Sequence, residues 1–240
     1  MWPEGVPDSV SVQEVLRWQH NTMQSMYERI ASAIKKMHNV DPSFEAEPTD
    51  YLNFYCLANR ELDEGTQSID SPRCDSEKLM AKTRRHLIYV HSKMAIVDDS
   101  LALVGSANIN ERSLAGTRDT EVSQASWQPE SLPSDTGVAE GDVHRFRLYC
   151  WAHLSGGMRD VFRRPASLEC IQQVNDIAEE NWKRFNQSEI CEMDSYLCKY
   201  PISVDKASGV VKPITNDGCF PDTKAKITGK KTFLPQILTT

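Results

Sequence analysis

The sequence lacks any apolar run approaching the ~18 residues that a bilayer-spanning helix needs, so no membrane crossing is expected. Its opening, MWPEGVPDSV, has neither the basic n-region nor the apolar h-region of a signal peptide, and a soluble, cytoplasmic chain is expected. It also lacks a cysteine framework: Cys56, Cys74, Cys150, Cys170, Cys191, Cys198 and Cys219 are odd in number and form no C-x-x-C pair. That spacing points to free thiols in a reducing compartment rather than to disulfides or a zinc site. Positive charge is scarce, with 27 Lys and Arg against 34 Asp and Glu and a net charge of −7. This argues against general affinity for nucleic acid and disfavours unaided docking on an anionic membrane. Either partner would require a local basic patch or a bridging cation. Low-complexity tracts and repeats at solenoid periods are absent as well.

What remains is ordinary globular composition, 40% hydrophobic and 25% charged over 240 residues, enough for one large domain or two small ones. Residues 11–34 predict an amphipathic helix. Ser11 to Glu14 matches a capping box, and Val12, Val15, Leu16, Met23, Met26, Tyr27, Ile30 and Ile34 recur at helical spacing. YLNFYCL, 51–57, reads as an aromatic strand, and 59–78 as a polar loop. A strand is expected over 87–97, a turn at Asp98-Asp99-Ser100, and a second strand over 101–104. A further short strand is expected within 116–124. Residues 128–142, rich in Pro, Gly, Ser and acids, form the best domain boundary. Beyond it VHRFRLYCW reads as a strand, 168–185 as an amphipathic helix, and 200–240 as a tail without a long periodic element.

The densest chemistry lies in HSKMAIVDDSLALVGSAN, His91 to Asn108. Side chains two apart on a strand share a face, so His91 and Lys93 are expected on one side of the sheet. A hairpin turning at 98–100, with paired residue numbers summing to about 197, would bring His91 near Ser106, with Asn108 just beyond. An imidazole, an ammonium, a hydroxyl and a carboxamide converging in this way suit a phosphoryl group. Lysine supplies fixed charge for phosphate oxygens, and Ser and Asn supply hydrogen bonds. Histidine can attack phosphorus or pass a proton, and a nearby lysine favours its neutral, nucleophilic form. Such a histidine needs its second ring nitrogen held by an acid. Glu121 is the candidate, and Asp119 would face the same way on a strand. Asp98, at the turn, is read as architectural. A seven-position pattern of this kind arises by chance on the order of once in a million start sites. Lys78, Lys82, Arg84 and Arg85 form a basic cluster that suits an anionic head group or a solvated edge. Arg112 and Arg118 are expected to pair with nearby acids.

The pattern H-x-K-x4-D-x6-G-S-x-N resembles the HKD signature of the phospholipase D superfamily. VQEVLRWQHNTMQSMYERI, DYLNFYCLANRE, GSANINERSLAGTRDTE, SLECIQQVN and FPDTKAKITGKKTFLPQILTT are similar to the carboxy-terminal part of plant phospholipase D. The resemblance implies an α/β fold: one half of the two-lobed phospholipase D fold, a mixed sheet flanked by helices, followed by a C-terminal α/β extension. Residues 1–130 would be the second catalytic half, with the HKD motif at 86–113, and 143–240 the C-terminal domain. It implies cleavage of the terminal phosphodiester of glycerophospholipids such as phosphatidylcholine. The products are phosphatidic acid and a head-group alcohol, formed through a phosphohistidine that water or another alcohol resolves. It assigns His91, Lys93, Asp98, Ser106 and Asn108 to the second motif and Glu121 to the acid that orients the histidine. It also implies Ca2+, with no ligand assigned in this chain, and peripheral association with a phospholipid membrane surface.

Of the six histidines, only His91 begins an H-x-K-x4-D pattern. Covalent transfer needs a nucleophile on one face of phosphorus and an acid on the other. The second face is expected from the missing first HKD half or from a homodimer mate. The alternative is a catalytically incomplete fragment that binds lipid or a partner. A nucleic-acid phosphodiesterase is a third reading, and the acidic balance counts against it.

Overall fold

The computed structural model describes residues 2, 6–60, 62, 74–128 and 139–235. The chain forms two compact units. Unit 1 comprises residues 1–89, 178–193 and 197–239, and unit 2 comprises 90–177 and 194–196 with 240. Both combine helices with small antiparallel sheets, the α/β content expected.

Unit 1 is organised by α1, Val10–Val40, whose N-cap is Ser9 rather than the expected Ser11; the Ser9 hydroxyl accepts the Val12 N–H at 3.4 Å. Glu14 is therefore not a capping residue, and it lies buried against Arg17 and the tail. Leu16, Met23, Tyr27 and Ala31 form the buried stripe, while Met26 faces solvent. Against them packs a sheet of order β2-β1-β6, built from Arg85–Ile88, Tyr55–Arg60 and Leu197–Lys199. In β1 the alternation buries Cys56, Ala58 and Arg60. Trp2, Phe185, Phe220 and Tyr200 complete the core, with the Trp2 and Phe220 rings edge-on at 5.4 Å. The helix α2, Asp75–Thr83, begins inside the stretch read as loop.

The tail closes on α1. Gly229, at φ 64°, lies so near the Arg17 backbone that any β-carbon there would collide with it. A hairpin of β7, Ile202–Val204, and β8, Val211–Pro213, is also part of this unit.

Unit 2 contains a sheet of order β3-β4-β5: Lys93–Val97, Leu101–Gly105 and Ser123–Trp127. The expected strand over 87–97 is thus two strands, β2 and β3, with residues 89–92 in neither. The segment VHRFRLYCW is not a strand but part of a helix, α4, Asp142–Leu154. Its aromatic and β-branched residues suggested extended chain, yet Val143, Arg147 and Trp151 recur every four residues and face inward. Trp151 stacks edge-on against the fully buried Phe162 at 5.5 Å, and Cys170, Val174 and Ile177 of α5, Leu168–Asn186, join them. The short helix α3, Glu111–Leu114, follows β4. Residues 129–138 of the expected boundary lie outside the described residues.

Candidate active site

The site is built on the β3–β4 hairpin. Its ladder runs from Lys93 opposite Gly105 to Val97 opposite Leu101, so paired numbers sum to 198, close to the expected 197. At the turn Asp98 and Asp99 both adopt left-handed backbone, φ 51° and 54°, and Ser100 N donates to Val97 O at 3.1 Å. Short polar side chains tolerate that region better than most. On the other side β5 pairs with β4, Gly105 opposite Ser123. Lys93, Gly105 and Ser123 therefore lie abreast at one end of the sheet. Only glycine fits at 105, where a β-carbon would meet Ser123 Cβ at 2.6 Å and Val122 O at 2.7 Å.

One residue beyond β4, Ser106 continues this pairing. Its N–H donates to Val122 O at 3.0 Å, its hydroxyl accepts the Val122 N–H at 3.0 Å, and the hydroxyl proton goes to Glu121 Oε2. The Ser106 hydrogen bond, with a second from Ser113, holds the Glu121 carboxyl below its ordinary range. The Lys93 charge pulls the same way, and the nearby Asp119 charge opposes it. Ser113 is placed by α3, where the Asn110 side chain caps the helix by accepting the Ser113 N–H at 3.0 Å.

The placements of the six sequence candidates differ. Lys93, Ser106 and Glu121 gather at the sheet end. His91 lies two residues before β3, outside a strand, so strand alternation does not set its direction; Lys93 Nζ donates to its backbone carbonyl at 2.7 Å. Asn108 is exposed in the segment after β4, and its carbonyl accepts Asn110 N at 2.9 Å. Asp98 is exposed at the opposite, turn end of the hairpin. Sequence reasoning missed Ser113, which had no motif position, and Asp99, whose neighbour Asp98 carried the motif. Asp99 is buried, its carboxylate held by Arg147 Nε, by Arg147 Nη2 at 2.8 Å and by His144 Nδ1 at 2.8 Å. Arg112 pairs with Asp119 at 3.0 Å.

The basic cluster in unit 1 is less uniform than its sequence. Lys78 and Lys82 are exposed on α2, Lys78 beside Asp75 at 3.4 Å, and Arg84 is its left-handed C-cap. Arg85 is a correction, because it is a core cross-link. It bonds both Asp222 oxygens at 2.8 and 2.9 Å, and its remaining donors go to the carbonyls of Phe185, Asn186 and Gln187. The buried Arg60 adds bonds to Arg184 O at 2.9 Å and Gln187 O at 2.7 Å. Two guanidiniums thus satisfy the end of α5, where carbonyls lack helical partners and the dipole is negative. Arg85 has no donor left for a head group.

Among the described residues no three acidic, histidine or cysteine side chains gather into a metal-binding group. No helix among them is long and apolar enough to cross a membrane.

With the HKD hairpin, its serine and its glutamate placed, the Phospholipase D family profile matches residues 1–229. The chain belongs to the phospholipase D family. It is 44% identical to phospholipase D alpha 1 of Zea mays over 245 residues, covering 100% of this chain and 29% of the relative. It is 44% identical to phospholipase D delta of Arabidopsis thaliana, 27% of which is covered, and 40% identical to phospholipase D beta 2 of the same plant, 26% of which is covered. The chain therefore spans less than a third of the length of the relatives it matches.

Proposed function

We propose that the end of the β3–β4–β5 sheet is one face of a phospholipase D active site, acting on glycerophospholipids such as phosphatidylcholine. The observation that carries this reading is the gathering of Lys93, Ser106 and Glu121 where the hairpin brings the two ends of the motif together. Lys93 would bind non-bridging phosphate oxygens, with Asn108 as a second donor. His91 would either attack phosphorus, displacing the head-group alkoxide, or give that alkoxide its proton. Water, or another alcohol, then takes the phosphatidyl group from the phosphohistidine, giving phosphatidic acid or its ester. Glu121, kept ionised, would sit beside the cationic charge that builds up during transfer.

One imidazole cannot serve both faces of phosphorus. The second histidine would come from the other half of a longer phospholipase D or from a second copy of this chain about a two-fold axis. Exposed apolar residues on one face of the sheet, Val97, Leu103 and Trp127, support a covering partner there. Calcium, implied by the family, finds no group of three acidic, histidine or cysteine side chains to hold it among the described residues. Peripheral contact with a phospholipid surface belongs to the same reading, and a net charge of −7 argues against nucleic acid as substrate.

The test is choline release from phosphatidylcholine in mixed micelles with calcium, comparing the chain with His91→Ala. Turnover that vanishes with His91 supports a complete site assembled from two copies. No turnover from either protein overturns the reading for the chain alone and leaves a lipid- or partner-binding role, read as vesicle or partner affinity indifferent to His91→Ala.

A further inference from the structure

We propose that Asp99, His144 and Arg147 are positioning residues that set the active-site hairpin, an inference that rests on the proposed function. The three side chains come from the hairpin turn and from α4, and all are buried. Arg147 grips both Asp99 oxygens while His144 Nδ1 lies 2.8 Å from Oδ2. Burial alone would push the Asp99 carboxyl up. The Arg147 and His144 hydrogen bonds and charges outweigh it, so the carboxyl lies below its ordinary range.

A second link ties the same two elements. Gln128, just after β5, donates its N–H to Ser100 O at 2.7 Å at the hairpin turn. Its side-chain Oε1 accepts the Asp142 and Val143 N–H groups, both at 3.0 Å. These are orphan donors of the first turn of α4, whose N-cap, Gly141, has no side chain to offer them. The turn is thus held at two points on α4. That helix is fixed in turn by Trp151, which packs edge-on against Phe162 and carries the Arg147 guanidinium over its ring at 4.7 Å within the helix.

Stability alone is a poor account of this arrangement. A buried ion pair often matches, and rarely beats, apolar residues of the same volume. Here His144 Nε2 and Arg147 Nη1 are buried without a hydrogen-bond partner among the described residues. Two successive aspartates also hold left-handed backbone, which bulky side chains avoid. What the network does supply is direction. From Val97 to Lys93 the strand is a lever of about 14 Å. A tilt of about 4° at the turn moves the Lys93 end by about 1 Å, and a misplacement of that size costs a catalytic site about a hundredfold in rate.

The experiment compares the full chain with Asp99→Asn and Arg147→Lys, one keeping shape without charge and the other charge without the two-pronged grip. The readings are kcat and KM on phosphatidylcholine in mixed micelles, the side-chain resonances of His91, and hydrogen exchange across residues 94–105. We expect both variants to fold, kcat to fall about tenfold to a hundredfold with KM within about twofold, the His91 resonances to move, and exchange in the hairpin to quicken. Unchanged His91 resonances and hairpin exchange in folded variants overturn the proposal. So does a variant that melts earlier but turns over normally per folded molecule. If Asp99→Asn does not fold, Arg147→Lys decides. If the unaltered chain turns over no phospholipid, the phospholipase reading fails for the isolated chain, while the resonances and the exchange still decide positioning.

Discussion

The Ser106 hydroxyl gives its proton to Glu121 while accepting the Val122 N–H at 3.0 Å, so one side chain both extends the β4–β5 pairing and fixes the acid of the site. The same hydroxyl is the first reason that the Glu121 carboxyl is held low. Ser106→Ala removes it. The Glu121 titration, followed by carbon NMR of its carboxyl, is expected to move upward toward the ordinary glutamate range. Turnover is expected to fall by about 100-fold, the lower end of the scale for losing one preorganised hydrogen bond in an active site. A Glu121 titration indifferent to the substitution would show that Ser113 and Lys93 hold the carboxylate without it.

Arg85 leads to the opposite prediction, a large effect on stability and none on lipid binding. Its ion pair with Asp222 is nearly closed to solvent, with side chains 9% and 8% exposed. Asp222→Ala leaves a guanidinium buried at the end of α5 with two bonds unmade. The expected cost is about 3–5 kcal/mol, the range for breaking a buried pair by removing one partner. Urea unfolding measures it. Lys78→Ala, on an exposed pair, should change stability by less than about 0.5 kcal/mol. Affinity for anionic vesicles that drops with Arg85→Gln in the folded protein, but not with Lys78→Ala, would return Arg85 to a lipid-binding role.

How far the residues could be read depends on the range of the forces that place them. The stripes of α1 and α5 and the turn at Asp98-Asp99-Ser100 are local patterns, and each element stands where its periodicity or turn chemistry put it. The meeting of Ser106 and Glu121 is not legible in this way: the sequence assigns Glu121 to the His91 ring, and it is the β4–β5 pairing that brings it to the Ser106 hydroxyl. The misreadings arise where distant partners decide. VHRFRLYCW carries strand-forming residues, but the inward faces of Arg147 and His144 are explained only by Asp99, more than forty residues earlier. Arg85 looked like one cation among four, because the carboxylate that claims it lies at Asp222. The break at residues 89–92 is hidden for the same reason: Tyr89 and Val90 favour strands, yet no ladder includes them.

The clamp of the tail on α1 makes unit 1 sensitive to acid in a defined way. Glu14 is buried, accepts Arg17 Nε at 2.9 Å and takes the Thr232 N–H at 2.6 Å, while Lys230 N donates to Gln13 O at 3.1 Å beside it. The Arg17 hydrogen bond is the main cause that lowers the Glu14 carboxyl from 4.5, and burial opposes it. A folded-state value below the unfolded one means that the group stabilises the fold fully above about pH 4.5 and loses that contribution as pH falls through the folded value. Glu14→Gln keeps an acceptor but not the charge. The substituted protein should therefore be less stable than the unaltered one near pH 7, and the gap should close as the pH drops below about 4.5. Urea titrations across that range, read at residues 226–232 by hydrogen exchange, test both halves of the statement. A gap that stays constant with pH would mean that shape, not charge, holds the tail on α1.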